Sequence, residues 1–486
     1  MAARRWVSRL AALTLGLGVL AGAELLLRLA NIASGTTWTP PRLVYVVQNG
    51  EVQGEFEARS GAHFVSEPRH GRPGVRTSRT YALGSGTGFP VNGSMRDEHF
   101  TQEPESNTER YFVLGGSAAM GQAPVAGQSR NRVRAERLPN GVSALPDQHA
   151  LSGQLEQRLR AAGRTVEVIN AGMIAQDSAG VLRIAQEVLQ YSPTGLVLYL
   201  GNNEGIGLSS GMGEVSVPRM QPVASVLHTL RLYRLLADRL IPAKQRLAEA
   251  PTEVVSGLQP EVLGRITLAQ WRTAGQPLMN DGTPTDDVYE ALLARFEHNL
   301  RAIVTAAHAR GVRVVIVPTP PHLGYTPFYS STRPGLSTAE LKQLEQLEKE
   351  SLTALKRGNP ERAIRSARAA VALDDSSAKA WFNLGKSLNA NGEYASAIDA
   401  LVLAHSLDLS RKRSQPAFAE IAIQVCADLG CSAASAHEHI LETARHDGLA
   451  IYESRFGDHE HLHPEGNAWV AAIVSDLLLA EWRKGG

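Results

Sequence analysis

Residues 109–121 read ERYFVLGGSAAMG, and this stretch decides the fold. Tyr111-Phe112-Val113-Leu114 is an apolar run of strand length, Gly115 and Gly116 permit a sharp turn, and Ser117 stands where a helix can begin. A run so short and so uniformly apolar suits a strand buried on both faces, as in a parallel sheet. Three further runs follow: Val166-Glu167-Val168-Ile169, Leu196-Val197-Leu198-Tyr199-Leu200 and Val312-Arg313-Val314-Val315-Ile316-Val317. Helical patterns lie between them, over 151–162, 179–190 and 289–310. Strands alternating with helices predict an α/β fold with a central parallel sheet covered on both faces. Such sheets gather reactive groups at the carboxyl ends of their strands.

Each strand end carries a small polar patch. Ser117 follows the first strand; by itself, a serine there is more simply a helix cap. The second is followed by Asn170-Ala171-Gly172-Met173, whose glycine N–H can turn toward the same crevice. The third is followed by Gly201-Asn202-Asn203-Glu204, which offers side-chain amides, though Asn and Gly are also ordinary turn residues. Residues 456–466, near the C-terminus, read FGDHEHLHPEG. An Asp and a His three apart can hydrogen-bond within one turn, which suits an orienting carboxylate and a general base. Two registers fit, Asp458/His461 and Glu460/His463. Three histidines with two acids also raise a metal reading. Histidines spaced by two suit alternate residues of a strand, however, and no matching ligand cluster stands elsewhere, so neither metal nor other cofactor is expected.

Together these four patches resemble the blocks of the SGNH or GDSL-like hydrolase superfamily. The resemblance covers most of residues 110–330 and 411–480, and implies a flavodoxin-like three-layer sandwich around the parallel sheet. It makes Ser117 the nucleophile and Asp458 and His461 the rest of a catalytic triad. Ser117, Gly172 and Asn203 become the oxyanion-hole donors. The Asp458/His461 register is preferred because the family places a glycine about five residues after the histidine, and Gly466 stands five after His461. The other register keeps a proline directly after His463 but replaces the aspartate by Glu460. Two departures stand out: the family's Asp before the nucleophile is Gly116 here, and its acid after the asparagine is Glu204. The implied activity is hydrolysis of an acyl ester, O-acetyl among the candidates, on a small molecule, glycan or lipid. An acyltransferase passing the acyl group to a glycan hydroxyl is one alternative. An exported assembly protein with a vestigial site is another.

From Ser337 to Leu409 the composition changes to Ala-, Leu-, Glu- and Lys-rich helix with an internal period of 34 residues. Gly358 aligns with Gly392, Ala363-Ile364 with Ala397-Ile398, Ala370 with Ala404, and Leu373-Asp374 with Leu407-Asp408. Period and residue types resemble tetratricopeptide repeats, which stack helical pairs and commonly present a partner-binding surface. Two repeats fall short of a free-standing stack, so this all-α insert is expected to lean on the sheet domain and to be available to a protein partner.

At the other end, Arg4 and Arg5 precede an uncharged run from Leu10 to Ala23 that closes on Ala21-Gly22-Ala23, the pattern of an export signal. The apolar pattern continues past Glu24 and Arg28 to Ile32, long enough for a retained anchor that holds the chain on the inner membrane, in the periplasm or cell envelope. Residues 38–107 are rich in Gly, Pro, Ser and Thr and read as a partly extended lead-in. The expected organisation is thus 1–34 signal or anchor, 35–107 lead-in, 108–336 and 411–486 one hydrolase domain, and 337–410 the insert. Residues 205–242 and 318–336, with His322, Phe328 and Arg333, could wall the crevice, although each reads singly as packing or surface. Arg130, Arg132, Arg134 and Arg137 make a local basic loop that reads as solvated charge. With 49 Lys and Arg against 48 Asp and Glu in 486 residues, the net charge of +1 gives no case for nucleic acid. The two cysteines, Cys426 and Cys431, are too few for a disulfide scaffold; they could bond across Gly430 or stay as two buried thiols.

Overall fold

The apolar run at 109–115 becomes an interior strand, β1 (Glu109–Gly115), flanked in parallel by β2 (Val166–Gly172) and β3 (Gly195–Tyr199). Strands β4 (Arg313–Ile316) and β5 (Ser432–Ala433) complete a five-stranded, all-parallel sheet in the order 2-1-3-4-5. The structure, a computed structural model, describes residues 18–29, 43–48, 51–57, 63–67, 73–77, 95–123, 135–138, 142–174, 176–204, 212–214, 286–409 and 413–485. The crevice wall expected over 205–242 (apart from 212–214) and the basic loop at Arg130, Arg132 and Arg134 lie outside these residues.

This doubly wound order reverses direction between β1 and β3, the point beyond whose carboxyl ends such sheets form a crevice. Helices α1 (Ser117–Met120), α2 (Leu151–Ala161), α3 (Ser178–Val188) and α4 (Asp286–His308) precede β4. Between β4 and β5 come α5 (Thr338–Lys356), α6 (Pro360–Leu373), α7 (Ala378–Ala390), α8 (Tyr394–Ser406) and α9 (Pro416–Leu429). After β5 follow α10 (Ala436–Asp447), α11 (Ala450–Arg455) and α12 (Pro464–Gly485).

Alternation along the strands explains why the runs are mostly apolar. Phe112, Leu114, Leu196, Leu198, Val314 and Ile316 pack with Val181 and Ile184 of α3, Phe296 and Leu300 of α4, and Phe418 of α9. Their neighbours Tyr111, Val113, Val197, Tyr199 and Val315 face the other way, toward Leu155 of α2, Ile440 of α10 and Val470 and Val474 of α12. Each fully buried side chain of this size is worth about 1.5–3 kcal/mol over its exposed form. The sheet is therefore covered on both faces, giving the three-layer α/β sandwich.

Helices α5 to α8 form the two helical hairpins that the 34-residue period predicts. Their starts are legible: Ser337 and Glu340 make a capping box, Asn359 caps a helix with Pro360 at its first position, and Ser377 caps α7. The insert leans on the helices that cover the sheet, since Phe382, Ile398, Leu401 and Ala404 share a core with Ile440 of α10, Tyr452 of α11 and Val470 of α12.

The lead-in contributes a small antiparallel sheet, Phe64–Ser66, Gly74–Thr77 and His99–Thr101, rather than a core of its own. Phe64 and Phe100 pack edge-on against Phe112 and Tyr191. Buried Arg110 fastens this sheet to β1 and β2, donating to Glu167 at 2.7 Å, to the Tyr191 carbonyl at 2.8 Å and to Thr101 Oγ1 at 3.1 Å. Cys426 and Cys431 are joined in a disulfide, with Gly430 in a left-handed conformation between them. Among the described residues no helix is long and apolar enough to cross a membrane; residues 1–17, which hold much of the expected anchor, lie outside them.

Candidate active site

The turn after β1 delivers Ser117 into the crevice. Gly116 holds the N-cap position of α1 and makes no side-chain cap, so the capping reading of Ser117 does not describe this turn. The Ser117 hydroxyl is instead 2.9 Å from His461 Nε2. Gly116 leaves room for the neighbouring amide: a Cβ there would lie 2.1 Å from Asn203 Nδ2, so a larger residue would displace the Asn203 side chain.

His461 comes from the opposite end of the chain, on a tight loop before α12. The Gly457 N–H donates to the His461 carbonyl at 2.9 Å and the His463 N–H to the Arg455 carbonyl at 2.7 Å, closing the loop back on α11. Within it Asp458 Oδ1 accepts the N–H groups of Glu460 and His461 at 2.9 and 2.7 Å. Its Oδ2 lies 2.8 Å from His461 Nδ1. Burial pushes the Asp458 carboxyl up, but His461, His459 and the Glu460 N–H outweigh it and hold the group well below the carboxylate range. Burial likewise opposes the His461 charge, yet Asp458 and Glu460 raise its imidazole to about 9. The arrangement is a hydroxyl facing an imidazole whose far nitrogen is held by an ionised carboxylate.

The expected donors divide. Asn203 gives one of its two amide hydrogens to the Gln176 carbonyl at 3.0 Å. Gly172 does not stand as expected: its N–H is spent on Asn170 Oδ1 at 3.0 Å. A Cβ at Gly172 would lie 2.3 Å from Met120 N, so its contribution is to let α1 pack closely on β2. Glu204, the departure after the asparagine, is a strut. Its carboxylate receives the Ser178 N–H at 2.6 Å and hydroxyl at 2.8 Å, tying the β3 tip to the start of α3. Burial, with Asp177 nearby, pushes Glu204 up to about 8.

One set of contacts at the site escaped the sequence reading, which offered Glu460 only as a partner of His463. Glu460 is buried beside the histidines, not paired with His463. Asn202 Nδ2 donates to its Oε2 at 2.9 Å, while its Oε1 lies 3.2 Å from His459 Nε2 and 4.0 Å from His461 Nε2. Burial raises its carboxyl, and the two histidines more than reverse that, leaving it below its usual value. The signal was present in an acid between two histidines, but its partner Asn202 is far away in sequence. Of the residues expected to wall the crevice, Phe328 packs edge-on against His459 at 5.1 Å, next to Tyr325 at 5.5 Å. His322 is instead buried and stacked on Tyr452; burial, followed by Arg413, pushes it down to about 3. Arg333 turns to the insert, donating to the Leu373 carbonyl. Among the described residues, no group of three or more His, Cys, Asp or Glu side chains is arranged to hold a metal ion.

Comparison with known proteins finds a family model described as tetratricopeptide repeat over residues 349–405. No curated protein matches the chain. Among solved structures the chain is similar to TesA at 14% identity, over 54% of this chain and 73% of that one, with a TM-score of 0.19. It is also similar to an extracellular lipase from Streptomyces rimosus at 13% identity (76% of this chain, 99% of that one, TM-score 0.27). A phospholipase A1 from Streptomyces albidoflavus is similar at 11% identity, over 76% of this chain and 98% of that one, with a TM-score of 0.27.

Proposed function

We propose that the protein is an exported serine esterase of the SGNH type. The observation that carries this reading is the line Ser117 Oγ, His461, Asp458, with links of 2.9 and 2.8 Å, at the carboxyl end of β1. A serine hydroxyl is a weak nucleophile until a base takes its proton, and this geometry supplies the base and its orienter. His461 Nε2 accepts the Ser117 proton as Oγ attacks the ester carbonyl, and Asp458 stabilises the imidazolium that forms. The oxyanion takes hydrogen bonds from the Ser117 N–H and from the second amide hydrogen of Asn203; one such donor is worth about two to three orders of magnitude in rate. Collapse breaks the ester C–O bond, the alcohol leaves with the proton from His461, and the acyl group stays on Ser117. Water, deprotonated by His461, then releases the acid.

Two features support the export part of this reading. Over residues 18–29 a helix exposes Val19, Leu20, Leu25, Leu26 and Leu29, while Arg28 pairs with Glu24 at 2.8 Å and so offsets the two charges that interrupt the apolar run. The Cys426–Cys431 disulfide suits an oxidising compartment.

A fluorophosphonate probe and short-chain aryl esters test the reading together. Wild type should be labelled on Ser117. Ser117→Ala and His461→Ala should lose about four to six orders of magnitude in turnover, while His463→Ala stays near wild type. Labelling at another serine, or a Ser117→Ala variant as active as wild type, overturns it.

A further inference from the structure

The two repeats end on equivalent aspartates, and both reach out of the insert to the same loop. Asp374 and Asp408 follow α6 and α8 at positions one 34-residue period apart, and both are buried. Asp408 accepts the N–H of Phe328 on Oδ2 and that of Tyr329 on Oδ1, each at 3.0 Å. Asp374 Oδ2 accepts the N–H of Arg333 at 3.0 Å. Between them the Ser330 hydroxyl lies 3.1 Å from that of Ser377 and accepts the Lys379 N–H at 3.1 Å.

A third buried charge locks the near end of the loop. Arg413 pairs with Asp408 Oδ2 at 3.0 Å and donates to the carbonyls of His322 and Tyr325 at 2.9 and 3.1 Å. The fastened segment carries Tyr325 and Phe328, whose rings stand 5.5 and 5.1 Å from the His459 ring. His459 in turn contacts Glu460, and its ring lies 6.5 Å from that of His461. A continuous path of hydrogen bonds and ring contacts thus runs from the repeat ends to the proposed base. A loop fastened by backbone amides keeps its side chains in place whatever their identity, so half-buried Tyr325 and buried Phe328 are held against His459.

We propose that Asp374 and Asp408 are positioning residues, which hold Tyr325 and Phe328 beside His459 as an aromatic wall that selects esters with a bulky apolar or ring-bearing group. The inference rests on the esterase reading above. The repeats, on this view, are part of the substrate site as well as a stack of helices.

The test compares kcat and KM over an ester series that grows from aryl acetates to longer acyl chains and larger alkoxy groups. In Asp408→Asn the kcat/KM ratio of large to small esters should fall roughly tenfold or more, mainly through KM, the scale on which apolar pocket contacts discriminate. Phe328→Ala should lower the same ratio. The double variant should be no worse than the worse single one, since both act on one contact. If Asp408→Asn does not fold, Asp374→Asn, which leaves the Arg413 pair intact, should give a smaller fall in the same direction. A folded variant with the wild-type ratio overturns the positioning role, even if its Tm has dropped. If wild type cleaves no ester and takes no probe at Ser117, the esterase reading fails first and the positioning role falls with it.

Discussion

Two carboxylates act on His461, one at each ring nitrogen. Asp458 holds Nδ1 at 2.8 Å, and Glu460 stands 4.0 Å from Nε2, on the side that faces Ser117. Both favour the imidazolium and, against the cost of burial, raise the group to about 9. Only the neutral ring can take the Ser117 proton, so kcat/KM should climb with pH through a limb near 9 and level off above it. Glu460→Gln removes one of the charges that favour the proton, and the limb should move to lower pH. A limb that stays in place would mean that Glu460 does not act on His461. The same proton bears on stability: the folded state keeps it after the unfolded chain, near 6.5, has lost it. The contribution is therefore fully present below about 6.5 and lost as pH rises through about 9. Ser117, Asp458 and His461 were legible because a strand end and a spacing of three are local patterns. The placing of Glu460 beside His461 instead of His463 was not, because Asn202, which fixes it, lies 258 positions away. Gly172 was misread for a similar reason, since whether its N–H is open depends on the rotamer of Asn170.

Among the elements, β1 to β4 could be read from the sequence because the middle of a strand buried on both faces is mostly apolar, as in Phe112-Val113-Leu114 and Leu196-Val197-Leu198. The two residues of β5 carry no such signal, and pairing with β4 alone makes them a strand. What fixes the approach to β5 is the end of α9. There Gly430 adopts a left-handed conformation, the Gly430 N–H closes on the Cys426 carbonyl at 2.9 Å, and the disulfide ties Cys426 to Cys431 across the turn. Whether the thiols were bonded depended on that turn, which spacing leaves open. A cross-link closing so short a loop restricts the unfolded chain modestly, by about 2 kcal/mol in the loop-entropy account. Replacing both cysteines by serine should lower unfolding stability by about that amount. Urea denaturation of wild type should show a similar loss on adding reductant, and the double serine variant should no longer respond to it.

Across the whole molecule the repeats, which keep small cores of their own, meet one face of the sheet in a shared core cluster. The 34-residue period was visible because helix contacts within a repeat are local, whereas the surface the insert leans on combines residues from three later helices, such as Ile440, Tyr452 and Val470, and cannot be read from spacing. Leu401 of α8 is fully buried in the same cluster as Ile440 of α10, Tyr452 of α11 and Val470 of α12. The buried pair Asp408–Arg413 and the loop it fastens add polar ties across the same boundary. Elements coupled by both apolar and polar contacts should unfold together rather than as separate domains. Leu401→Ala should thus cost about 2–5 kcal/mol and lower the stability of the sheet as much as that of the repeats. Far-UV circular dichroism, dominated by helix, and fluorophosphonate labelling of Ser117, which requires an intact crevice, should lose signal at one denaturant midpoint in wild type and at one lower midpoint in the variant. Separate midpoints, with the labelling transition unmoved by Leu401→Ala, would mean that the insert folds on its own and only touches the sheet.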